Sequence, residues 1–269
     1  MNGTGQAHVL RAIGRGRPAG RPGTATRLDA PLRRVNRDAA RDIAQWFLAA
    51  PALAGDRLVT AAYGDLQEQT DRQFAELTEP DGPFGYTVAW TREPVPYSTA
   101  TELIEAVRAT GVLEVTAARV DRDRLHPGLD CAVAGPYDRL RAVHDIIGHA
   151  MTGYGFDRNA EYSAWLWQTG LYYGLARWAA ATELHAEHSV TWTTRQFPEH
   201  KAVLLPRRLL RRSSSSSGRR PALPDFASAR RPHPGRGGPA VGDDGGDRPS
   251  ARPTGACRPG KAQISTAWR

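Results

Sequence analysis

Cysteine is nearly missing from this sequence. Cys131 and Cys257 are the only two in 269 residues, and neither has a second thiol at C-x-x-C spacing. That argues against a disulfide framework and fits a reducing compartment, so a cytoplasmic location is expected and Cys131 reads as a small buried hydrophobe. Long apolar runs are missing too. None approaches the roughly 20 residues needed to span a bilayer, so no membrane partner is expected. The arginine-rich start has no apolar stretch of the kind a secretory signal carries, and its Gly and Pro content argues against an amphipathic transit helix. Internal repeats are absent as well.

Charge is present but unevenly placed. The net +8 and the pI near 10 describe the two ends. Residues 1–34 carry seven Arg against one Asp, and residues 207–269 carry 14 basic side chains against four Asp. Between them, residues 35–206 carry 15 basic and 23 acidic side chains. A nucleic-acid function would need a basic face on the folded part, so only non-specific contact through the basic ends is expected. Apolar periodicity is confined to the middle. The expected organisation is a disordered basic segment (1–34), one helical domain with a few short strands (35–206), and a disordered Arg/Ser/Pro/Gly-rich tail (207–269).

Within the middle, Asn36 can cap a helix that Pro51 stops, with Ile43, Trp46 and Phe47 on one face. Asp56 opens a second helix, in which Val59, Tyr63, Leu66, Thr70, Phe74 and Leu77 recur at three- and four-residue steps up to the Glu79–Pro83 turn signal. Phe84–Trp90 and Val112–Val115 read as short strands. Thr99 and Glu102 form a capping box for a helix that Gly111 ends. Residues 119–136 read as loop, and a helix runs from about Tyr137 to Met151. From Asn159 to His188 only Gly170 and Gly174 interrupt an aromatic-rich run, which reads as a buried helix.

The chemistry concentrates in VHDIIGHAMTGYGFDRNAEYSAW, residues 143–165. His144 and His149 stand five residues apart, Asp145 follows the first, and Glu161 lies further on. Glu183 sits in ATELHAEHS. Histidines with a carboxylate in an apolar setting are how a chain binds a divalent transition metal. A four-residue step would put both histidines on one helical face. Five residues rotate by about 500° on a regular α-helix, leaving them roughly 140° apart. Convergence on one ion therefore requires the helix to end or bend between them, with Gly148 the residue best able to allow it. Asp145 is a candidate general base or an acceptor that orients its neighbour. His185 and His188 read as surface or supporting residues, and His126 and His200 as loop residues.

Two resemblances follow from these residues. RAVHDIIGHAMTGYGFDRNAEYSAW with ATELHAEHS resembles an uncharacterised module of phages and other mobile elements, over roughly residues 136–195. His-Asp-Ile-Ile-Gly-His is also similar to the His-Glu-x-x-Gly-His signature of the pterin-dependent aromatic amino acid hydroxylases, whose two histidines and a later glutamate bind ferrous iron. That similarity implies His144, His149 and Glu183 as ligands, with Asp145 where the family has Glu. Glu161 and Glu183 are 22 residues apart, about 33 Å along a straight helix. Either one alone is the ligand, or Gly170 and Gly174 break the run and bring both to the site. The expected function is a metalloenzyme with a mononuclear two-His-one-carboxylate site acting on a small molecule, read first as a non-haem iron oxygenase, with Fe(II) favoured over Zn(II). The alternatives are a zinc-dependent hydrolase and a non-enzymatic helical module associated with mobile elements.

Overall fold

A computed structural model of the chain describes residues 31–117 and 125–214. The expectations for residues 1–30, 118–124 and 215–269 lie outside the described residues.

Helix α1 (Arg37–Ala49) begins where Asn36 accepts the backbone N–H groups of Asp38 and Ala39, which satisfies donors that the first turn leaves unpaired. Ile43, Ala44 and Phe47 form its buried stripe. Helix α2 (Arg57–Thr78) is capped in the same way by Asp56 and buries Val59, Tyr63, Leu66 and Leu77. Both follow the expected boundaries.

Strand β1 (Thr87–Thr91) pairs in parallel with β2 (Val112–Thr116), in a register that runs from Thr87 opposite Val112 to Thr91 opposite Thr116. Phe84 and Tyr86, expected at the start of β1, precede the ladder and are packed into the core instead. The crossover is α3 (Ala100–Thr110), opened by the reciprocal Thr99–Glu102 box. Gly111, at φ 72°, then turns the chain into β2, a backbone region where a side chain would strain.

The helix that carries the histidines begins with α4 (Pro136–Val143) and continues without a break as a π-helix over His144–Met151. Helix α5 (Arg158–Thr169), capped by Asp157, packs back against that π segment. The run expected to be one buried helix from Asn159 to His188 is not continuous. It turns between Gly170 and Tyr173, where Gly174 adopts φ 58°, and resumes as α6 (Gly174–Ala181). A second π segment (Thr182–Ala186) leads into α7 (Glu187–Thr194).

Regular structure also extends past the boundary expected at residue 206. Helix α8 (Arg207–Ser214) lies against α1, with Leu209 and Leu210 buried beside Ile43, Phe47 and Leu205. The Tyr162 hydroxyl donates to the Ser213 carbonyl. Two buried leucines are worth several kcal/mol, at about 1.5–3 kcal/mol each, which holds an arginine-rich helix in place. The architecture is mainly helical, with one short parallel strand pair. Among the described residues no helix is long and apolar enough to cross a membrane.

Candidate metal centre

The five-residue spacing of the histidines is resolved by winding rather than by a helix end. In a π-helix the backbone bonds reach from i to i+5, so residues five apart stack on one face. His144 and His149 occupy that relationship, and their Nε2 atoms lie 3.2 Å apart with the rings edge to face. Gly148 permits it, as expected, but through close approach rather than by breaking the helix. A Cβ there would come within 3.1 Å of the Ala164 Cβ on α5 and 3.3 Å of the His144 ring. The segment ends at Met151, Gly153 then turns the chain at φ 79°, and the Arg108 guanidinium donates to the Ala150 carbonyl nearby.

Each ring is oriented from behind. His149 Nδ1 lies 3.0 Å from the Tyr154 carbonyl, which can only accept, so this nitrogen carries the proton and Nε2 presents a lone pair. His144 Nδ1 lies 2.8 Å from Gln168 Oε1, an acceptor likewise. Glu161, in the first turn of α5, brings Oε2 to 3.3 Å from His144 Nε2 and 3.6 Å from His149 Nε2. Three potential ligand atoms therefore face one point, on side chains 1%, 1% and 7% exposed. An ion about 2.1 Å from each would see them at angles of roughly 100°, 105° and 120°, close to the corners of a tetrahedron with one corner open.

Charge follows the same geometry. Burial alone would raise the Glu161 carboxyl, but His188, His149 and His144 outweigh it and hold it at about 2, firmly ionised. Burial drives His149 down to about 4, so it is neutral and able to ligate near pH 7. For His144, burial is opposed by the bond and charge of Glu161, and the balance raises it. His188 joins from α7, with Nδ1 2.8 Å from the Leu184 carbonyl and 3.7 Å from Glu161 Oε2. It is buried, not superficial. His185 is also buried, stacked on Trp165 with ring centroids 4.1 Å apart.

The two carboxylates weighed for this site part company. Glu161 stands with the histidine pair. Glu183 enters a different group, where it accepts the Tyr63 hydroxyl and lies 3.0 Å from His126 Nε2. The turn at Gly170–Tyr173 breaks the long run, yet it does not bring the two together. Asp145 is half-buried, and its carboxyl is pushed up to about 6 by burial, against the pull of His144 and Arg141. It does not hold the His144 ring; Gln168 does. Sequence reasoning missed Gln168, because an amide 24 residues from its histidine has no local signature. His126 and His200 lie in loops, as expected, but both are buried in the group around Glu183, which the sequence did not signal.

A narrow gap with about 10 Å³ of free space, room for a water molecule, reaches Glu161 and His188 and is lined also by Val35, Arg158, Tyr162 and Trp192. Comparison of the chain with protein-family models, curated proteins and solved structures returns no match. The buried His/Glu groups are suited to a divalent metal.

Proposed function

We propose that the chain is a metal-dependent enzyme acting on a small molecule, with its catalytic ion held by His144, His149 and Glu161. The observation that carries this reading is the convergence of three ligand atoms: both Nδ1 atoms meet acceptors, so both Nε2 atoms turn to one point, 3.2 Å apart, beside an ionised carboxylate. In the absence of a metal a proton on His144 Nε2 bridges these groups; a divalent ion in its place would be held by all three donors with a position left open.

The donors stand 3.2–3.6 Å apart, which suits Zn(II), and two imidazoles with a carboxylate suit Fe(II) as well, so the hydrolytic alternative and the iron oxygenase share this donor set; we take the hydrolytic one as the reading to test. A zinc ion there would supply Lewis-acid polarisation of a bound water or substrate oxygen. The chain's own groups do the rest. Gln168 and the Tyr154 carbonyl keep the rings aimed, and Glu161 supplies the negative charge. The gap along Glu161 and His188, lined by Tyr162, Trp192 and Arg158, is the side from which a small substrate would approach the triad. Asp145 does not line it, so Glu161 and His188 are better placed to meet substrate.

The test is metal analysis of the purified full chain beside His149→Ala. Loss of one equivalent of zinc in the variant supports the reading. Unchanged metal content overturns it, and iron in place of zinc restores the oxygenase.

A further inference from the structure

The helical run from Thr182 to Thr194 serves two buried groups. His188 reaches the triad just described, while Glu183 and Glu187 enter a separate group with His126 and His200, in which one potential ligand atom from each residue lies within 4.8 Å of the others. The side chains of both glutamates are fully buried. Glu183 Oε1 accepts the Tyr63 hydroxyl, and Glu187 Oε1 lies 2.9 Å from His200 Nδ1. His200 Nε2 is 3.0 Å from the Tyr137 hydroxyl. The second oxygen of Glu183, Oε2, lies 3.0 Å from His126 Nε2, whereas Glu187 Oε2 accepts no hydrogen bond among the described residues.

An unsatisfied buried carboxylate oxygen is costly, and one set beside a second buried carboxylate needs a reason. The Gly128 N–H donates to His126 Nδ1 at 2.9 Å, so the ring's own N–H is Nε2, turned to Glu183 Oε2, and His126 acts as an outer donor to that carboxylate.

We propose that this group is a second divalent-cation site, with Glu183, Glu187 and His200 as ligands. Tyr63, Tyr137 and His126 are its positioning residues. Tyr63 occupies Glu183 Oε1 and leaves Oε2 to ligate. Tyr137 takes the far nitrogen of His200, as an outer partner does for a metal-bound imidazole. The 2.9 Å between His200 Nδ1 and Glu187 Oε1 corresponds to about 90° at an ion roughly 2.1 Å from each. Two carboxylates with one imidazole suit Mn(II) or Zn(II). The site ties His126 and His200, from segments outside the helices, to the second π segment and α7. Its role is to hold these parts together, so the ion's effect is read in stability rather than turnover.

The experiment is a titration of chelator-stripped full chain with Co(II), followed by its absorption spectrum and by elemental analysis, beside His144→Ala/His149→Ala, Glu187→Gln and His200→Gln. The expected result is two equivalents for the parent chain and one for each variant. Glu187→Gln and His200→Gln should keep the spectrum of the triad and lose the other. If the His144→Ala/His149→Ala chain binds none, the second site does not exist, whatever the other variants do. If it binds one, the second site stands, even if the parent also binds only one and the triad reading fails. That decision does not require the Glu187 or His200 variants to fold.

Discussion

Gln168 Oε1 lies 2.8 Å from His144 Nδ1 and thereby decides which nitrogen of that ring faces Glu161. Gln168 is wholly buried and sits one helical segment away from the ion it would serve. Gln168→Leu should keep the fold and weaken zinc affinity by about 10–100-fold, the range seen when such an outer partner is removed. Competition with a chromophoric chelator measures it. Unchanged affinity would show that the ring needs no such support.

Glu161→Gln should abolish zinc binding at the triad, while Glu183→Gln should leave it intact. Elemental analysis of the two variants after dialysis reads the difference. A triad that loses zinc only in the Glu183 variant would mean that the carboxylate has been misassigned.

Gly148→Ala places a methyl against the Ala164 Cβ and the His144 ring, both nearer than ordinary contact. Overpacking of this kind costs about 1–3 kcal/mol, and here it also pushes a ligand. A lower midpoint in urea together with weaker zinc binding is expected. A stability change alone would separate packing from the metal centre.

His185 should make the chain acid-sensitive. Burial, reinforced by His188, depresses it to about 3 from the ordinary histidine range. The unfolded chain therefore binds a proton near pH 6.5 that the folded chain refuses until much lower. Its contribution is fully present above pH 6.5 and is lost as pH falls from there towards 3. His185→Gln should flatten that part of the stability profile, measured by urea unfolding from pH 7.5 to 4.

A chain ending at residue 206 should melt below one ending at 214, because it lacks Leu209 and Leu210. Losing a buried leucine side chain costs about 2–5 kcal/mol. Equal melting temperatures would make α8 a passenger.

Most of the helices were legible because their signals are local. Asn36, Asp56 and the Thr99–Glu102 box cap within three residues, and the apolar stripes of α1 and α2 repeat within a turn. The strand at Val112 was equally plain, and the parallel pairing of its ladder less so, since register depends on a partner 25 residues away. His144, His149 and Glu161 could be nominated from composition and order alone. Their convergence could not, because a regular helix forbids it and a π turn leaves no compositional mark. His126 and His200 lie 74 residues apart in sequence-isolated positions, and only the packing of α2, α4 and the second π segment makes them neighbours. The helix at Arg207 was hidden by its arginines, whose charge outweighed two leucines in any reading of composition.

The π segment at His144–Met151 can also be counted in residues rather than in angles. A helix of regular pitch would bring two histidines to one face with three residues between them; this one uses four. The segment is thus one residue longer than the same site would need on an ordinary helix, and that residue is stored between His144 and His149. Deleting Ile146 or Ile147 would let the backbone relax to regular pitch and still align the histidines. Residues before His144 would keep their phase with that ring and residues after His149 with theirs, so both flanks would present the same faces as before. What the deletion removes is a buried isoleucine from the core. The extra residue thus adds a buried side chain between the two histidines without changing the face that either flank presents.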